Sequence, residues 1–138
     1  MKEVAFLIAF FMVFSIPFNI YAEDGTHIHQ PHSHRHKHYA KIKNPVPMSE
    51  QSIAKGKALF EKHCISCHGE SGSSENKTTD LTDDLWIHGE SEGEIFHVIT
   101  DGTKGTTMRG FKKETTKKER WHLVNYIKSL KKTGEDRR

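Results

Sequence analysis

Cys64, Cys67 and His68 form the pentapeptide Cys-x-x-Cys-His, and these two cysteines are the only ones in the 138-residue chain. That arrangement is the attachment signature of c-type haem. Each thiol adds to a porphyrin vinyl group and becomes a thioether. The two-residue gap lets one helical turn reach both vinyls, and the next imidazole projects under the iron. Three other chemistries use similar residues. A redox dithiol usually ends a strand in a βαβ unit, whereas the residues before Cys64 read as helix. A zinc site takes about four ligands with a second pair at a set spacing, and no second cysteine pair exists. A disulfide across two residues would close a very small, strained loop.

Met108 is the candidate for the other side of the iron. It lies in residues 102–111, Gly-Thr-Lys-Gly-Thr-Thr-Met-Arg-Gly-Phe, where a methionine is unusual as core filling. Its thioether is a soft ligand that a loop can present across a haem face. The other reading is a methionine that caps an apolar pocket without ligating. His88 and His97 read as surface or internally satisfied histidines, because an imidazole on a helix has many uses.

A third set is His27, His29, His32, His34, His36 and His38, separated mainly by polar residues. Such tracts bind copper, zinc or nickel through neutral imidazole. The alternative is a solvated linker. No apolar periodicity is visible there, and Pro31, Pro45 and Pro47 oppose helices, so residues 23–46 read as a flexible His-rich segment.

The elements that position these groups are helical. Ser49 can cap a helix from residue 50 to about 63, with Ile53, Gly56, Leu59 and Phe60 on one side. Glycine costs helix stability relative to alanine, so Gly56 makes sense if another helix crosses closely. Residues 69–80 form a polar loop, and residues 81–87 read as a short helix capped by Thr82 or Asp83. Ser91-x-x-Glu94 is a capping box opening a helix through Ile95, Phe96, Val98 and Ile99, which Gly102 stops. Thr116-x-x-Glu119 opens the last helix, whose stripe comprises Trp121, Leu123, Val124, Tyr126, Ile127 and Leu130. Lys128, Lys131 and Lys132 suit its C-terminal dipole.

The chain starts with an apolar run over residues 4–18, interrupted by Pro17 and followed by Ala22. Residues 1–22 read as a secretory signal peptide or an uncleaved anchor. Either exports the remainder, so a periplasmic location is expected, with membrane contact only if the anchor stays. Residues 70–101 carry nine acids and one base, Lys77, whereas residues 104–138 carry twelve bases and four acids. Lys104, Arg109, Lys112 and Lys113 flank Met108. They either steer an acidic redox partner or form a solvated basic surface. A nucleic-acid partner is not expected.

From Ser49 to Leu130 the chain resembles class I cytochrome c in its short bacterial form. Gly56 and Phe60 precede Cys64, Cys67 and His68, Met108 is followed by Phe111, and Leu123 and Tyr126 stand in the last helix. Asp80-Leu81-Thr82-Asp83 and Glu94-Ile95-Phe96 resemble segments of diheme and oxidase-linked members. The resemblance implies an all-α fold of short helices wrapped around one covalent haem c, with the first and last helices crossing at Gly56. It also implies His68 and Met108 as axial ligands. Two positions depart from the family: Arg109 stands where proline often follows the methionine, leaving that loop less rigid. No proline lies in residues 69–80, so an acceptor for the His68 ring N–H is not evident. Residues 47–134 are thus expected to be a monohaem domain, with residues 135–138 as a tail. It would carry single electrons, without being an enzyme, between partners such as a membrane oxidase, reductase or dehydrogenase. The alternatives are a haem enzyme or gas sensor with a labile Met108, and a metal-handling protein working through its His-rich segment.

Overall fold

The computed structural model describes residues 36–131. Four helices follow in order: α1 (Glu50–His63), α2 (Ile65–His68), α3 (Glu92–Asp101) and α4 (Lys117–Leu130). Among the described residues there is no strand, only one isolated bridge between Gly102 and Arg109. The expected signal peptide, His27, His29, His32, His34 and the tail lie outside the described residues.

Local chemistry sets the helix starts. The Ser49 hydroxyl accepts from the Ser52 N–H at the start of α1. Ser91 and Glu94 exchange both capping-box hydrogen bonds at α3, and Thr116 and Glu119 do so at α4. These bonds satisfy N–H groups that have no partner within the helix. Gly102, at φ 76° beyond α3, ends that helix with its N–H donating to Val98 O.

Helices α1 and α4 cross at Gly56, where an added Cβ would collide with the His122 carbonyl oxygen and stand 2.7 Å from Tyr126 Cβ. The close approach packs Phe60 against Tyr126, their ring centroids 5.1 Å apart and edge to face. Phe60, Ile95, Ile99, Phe111, Leu123 and Val124 belong to one buried core shared by α1, α3 and α4. Phe96 stacks on Trp121 at 3.8 Å, joining α3 to α4.

The flexible segment expected through residue 46 is not free over its second half. Tyr39 stacks flat on His97 of α3 at 3.9 Å. Gly93 permits this close pass of the turns over residues 37–41, since a Cβ there would strike Tyr39 O and approach Ile42 Cβ to 2.7 Å. Asn44 then staples the segment to α4: its Nδ2 donates to Trp121 O at 3.1 Å and Asn125 Oδ1 at 2.7 Å, and its N–H donates to Glu92. The expected short helix over residues 81–87 is also absent. Asp80 accepts from the Thr82 N–H and Asp83 from the Leu85 N–H. These side-chain bonds offer the backbone an alternative to the helical ladder.

Asn125 Nδ2 also donates to Ser52 Oγ at 2.8 Å, and Ser52 Oγ lies 2.8 Å from His122 Nδ1. Burial first, then Lys55 and Lys118, pushes the His122 imidazole below its ordinary 6.5. The folded chain therefore resists a proton that the unfolded chain accepts, and stability is lost as pH falls below about 6.5. The melting temperature should accordingly hold steady above neutrality and decline on acidification, with a shallower decline in His122→Gln. Identical acid slopes in the two proteins would refute this account.

Candidate haem site

Helix α1 delivers the cysteines directly. Cys64 follows its last residue, donates its N–H to Phe60 O, and leads into the one-turn helix α2 that carries Cys67 and His68. Gly69, at φ 75°, ends the turn. A Cβ there would collide with Ser73 O, so the chain doubles back tightly beneath His68.

Cys64, Cys67, His68 and Met108 all line one cavity of about 460 Å³, a size typical of cofactor sites. Phe60, Ile95, Leu123 and Ile127 contribute apolar wall from α1, α3 and α4. His68 and Met108 are half-buried, while Cys67 is exposed at the rim. Burial, with Cys67 adding, pushes the Cys64 thiol up to about 11 despite Arg109. Such a thiol is a weak nucleophile near neutral pH, which argues against a working dithiol.

His68 Nδ1 lies 2.6 Å from the Thr79 carbonyl oxygen. A carbonyl oxygen can only accept, so that contact places the proton on Nδ1 and leaves Nε2 as the nitrogen able to bind a metal. The acceptor missing from the sequence reading is therefore a threonine carbonyl in the loop without proline. Residue type held no signal for it, because the group is backbone.

The Met108 loop is also better held than its lack of proline suggests. Its carbonyl accepts from the Thr103 N–H at 2.8 Å, and its N–H donates to Thr106 Oγ1. Phe111 N–H donates to Ile99 O at 2.9 Å. Arg109 lies over the Phe111 ring at 4.3 Å and pairs with Glu114. Gly110 fits against the end of α3, where a Cβ would stand 2.7 Å from Asp101 C.

The cavity fits a haem in three respects: size, apolar walls and donor set. A fourth observation is Trp86, which lines it and whose Nε1–H is buried with no acceptor among the described residues. A carboxylate of the cofactor would satisfy that donor. No pattern in the sequence distinguishes Trp86, an indole in a half-buried loop.

The remaining histidines separate. His88 lines the cavity, whereas His97 does not; His97 is engaged by Tyr39 and by Asp101, 3.2 Å from its Nδ1. His36 packs beside both, its ring centroid 5.9 Å from that of His88 and 4.6 Å from that of His97. His38 is exposed and packs edge-on against Tyr39. Among the described residues no group of three or more His, Cys, Asp or Glu is arranged to hold a metal ion. None of their helices is long and apolar enough to cross a membrane.

Residues 51–127 match the family described as cytochrome C oxidase, cbb3-type, subunit III. The chain is 29% identical over 97 residues to the cbb3-type cytochrome c oxidase subunit CcoP of Azospirillum sp. (strain B510), covering 62% of this chain and 33% of that protein. It thus spans about a third of that curated relative's length. Among solved structures, it is similar to the reducing HAO-like protein complex of Kuenenia stuttgartiensis, with a TM-score of 0.59, 30% identity, and coverage of 64% of this chain and 47% of the other. It is also similar to cytochrome cL of Methylophaga aminisulfidivorans, with a TM-score of 0.52, 26% identity, and coverage of 60% and 55% respectively.

Proposed function

We propose that this chain, which belongs to the family of subunit III of cbb3-type cytochrome c oxidase, is an exported carrier that holds one covalent haem between His68 and Met108 and passes single electrons to redox proteins. The fold is that of a c-type cytochrome, all-α among the described residues. The observation that carries the reading is that Cys64, Cys67, His68 and Met108, from two distant parts of the chain, line the same apolar cavity.

Haem, when bound, supplies reversible one-electron chemistry at its iron. The chain's part is to tether, ligate and exclude water. Cys64 and Cys67 would form the thioethers, and Thr79 would orient His68. Met108 would supply a neutral, soft ligand that favours the reduced state. Phe60, Leu123 and Ile127 would keep water from the iron, and Trp86 would donate to a cofactor carboxylate. With His68 and Met108 both holding the iron, substrate chemistry would be disfavoured, and the role would be transfer. The relatives named as cbb3 oxidase subunits support a membrane oxidase as partner class, with a reductase or dehydrogenase at the other end. Lys104, Arg109 and Lys112 near Met108 would steer an acidic partner.

One haem per chain should survive denaturing electrophoresis with haem staining, and intact mass should show one added haem. Loss of colour from the protein on acid–acetone extraction would rule out thioether attachment. Cys64→Ala should lower the yield of holoprotein sharply. A sensor or enzyme would need an open distal position, so rapid carbon monoxide binding by the untreated ferrous protein would favour that reading.

The His-rich stretch supports a second, separate capacity: reversible binding of copper, zinc or nickel by His27, His29, His32, His34, His36 and His38. Because residues 36–46 pack on the fold, the informative deletion removes residues 23–35 only. Calorimetry with nickel should show weaker binding after that deletion, and weaker binding by the full chain below about pH 6.5, where imidazole takes up protons. Equal binding by both chains would end the idea.

A further inference from the structure

The chain lacks the proline that would stiffen the loop beneath its haem histidine, yet the Thr79 carbonyl meets His68 Nδ1 at 2.6 Å. Something else must hold that carbonyl. We propose that Asp80 is a positioning residue that substitutes for the missing rigidity, holding the Thr79 carbonyl against His68 and thereby tuning the iron's ligand.

The Asp80 carboxylate gathers the loop from both sides. Its Oδ1 accepts from the Thr82 N–H at 2.7 Å and from Thr82 Oγ1 at 2.7 Å. Its Oδ2 accepts from Ser73 Oγ at 3.2 Å and the Ser74 N–H at 3.3 Å. Ser73 and Ser74 lie just after Gly69, where the chain turns back from His68, while Thr82 lies downstream. One side chain therefore clamps the two ends of the loop that presents Thr79. Burial alone would raise the carboxyl, but the bonds from Thr82, Ser74 and Ser73 hold it below its ordinary 3.8. It remains an ionised, acceptor-only group at working pH, as four donors require. Backbone bonds complete the loop, with the Thr79 and Asp80 N–H groups donating to Asn76 O and the Leu81 N–H to Gly72 O.

A firmly held acceptor on Nδ1 raises the basicity of the ligating imidazole and favours ferric iron. Loosening Thr79 should therefore favour the ferrous state. This inference rests on the haem reading above, and the holoprotein's covalent haem is verified first, so failure of one is distinguishable from failure of the other.

The test compares Asp80→Ala, Asp80→Asn and Asp83→Ala in the full-chain holoprotein. Asp83 is the control, because it accepts a similar bond from Leu85 N–H at 2.8 Å with no tie to the Ser73–Ser74 end. Asp80→Ala should move the ferric–ferrous equilibrium about tenfold toward ferrous, equal to about 59 mV for one electron. Its His68 Nδ1–H, followed by magnetic resonance, should exchange with solvent at least about tenfold faster. Asp80→Asn keeps the acceptor facing Thr82 and should fall between wild type and alanine. Asp83→Ala should match wild type in both measurements. If Asp80→Ala matches Asp83→Ala in potential and in Nδ1–H exchange, Asp80 only shapes the surface and the proposal is overturned.

Discussion

Met108→Ala should lower the reduction potential by about 0.1 V or more, a modest part of the ~0.8 V over which axial ligands move haem iron. The weak far-red sulfur-to-iron absorption of the ferric protein should disappear with it. A neutral thioether stabilises ferrous iron, so its replacement by water removes that preference. The opened position should bind carbon monoxide and cyanide readily and gain some peroxidase activity. Met108 is half-buried on the cavity wall, so removal of its side chain also leaves space for a small ligand. His88 is the rival, because it lines the same cavity. A bis-histidine protein would show no far-red band and a lower starting potential. Should the band persist in Met108→Ala, or vanish instead in His88→Ala, the ligand assignment is wrong. The carrier reading would then survive with a different ligand. The network that pins the Met108 loop, including Thr103, Thr106 and the Arg109–Glu114 pair, should limit any loss of a Met108 ligand at alkaline pH.

The second large effect is expected at Gly56. Alanine is favoured over glycine in a helix by about 1 kcal/mol, so an isolated α1 would gain from Gly56→Ala. In the folded chain the new Cβ would collide with the His122 carbonyl oxygen and stand 2.7 Å from Tyr126 Cβ. The first obstacle is backbone and cannot rotate away. Overpacking of this kind costs about 1–3 kcal/mol, and valine or leucine would cost more. The helices must separate, loosening the Phe60–Tyr126 contact and the cavity wall on that side. Gly56→Ala should therefore lower the melting temperature by several degrees, at about 4–8 °C per kcal/mol for a domain of this size, and Gly56→Val should reduce holoprotein yield severely. A melting temperature raised by alanine would show that propensity outweighs the crossing, contrary to the packing described.

Much of this molecule was legible in sequence because it is local. Cys-x-x-Cys-His declares its chemistry through spacing within five residues. Ser49, Ser91 and Thr116 announce helix starts because the hydroxyl that caps a helix binds an N–H only three residues away. Gly56 fitted a close helix crossing, since a glycine inside a helix needs a compensating reason, and the His122 carbonyl stands where its Cβ would be. The resemblance to class I cytochrome c rested on that pentapeptide with Gly56 and Phe60 before it, Met108 and Phe111 after it, and Leu123 and Tyr126 in the last helix. Local patterns misled where two local devices competed: residues 81–87 carry helix-like capping chemistry, but Asp80 and Asp83 used their carboxylates on turns instead.

What only the tertiary structure decided is held by atoms that residue type does not describe or by contacts far apart in the chain. The acceptor for His68 is a backbone carbonyl, and any residue at position 79 has one; its placement depends on Asp80 drawing together two ends of a loop. Residues 36–46 look like part of a solvated tract by composition, yet Asn44 reaches Trp121 and Asn125 across 77 and 81 positions of sequence. Trp86 gains its meaning only where the walls of the cavity leave its N–H without a protein acceptor. Spacing along the chain encodes what one turn of backbone can bring together. The cavity is made by segments that meet only after α1, α3 and α4 have packed.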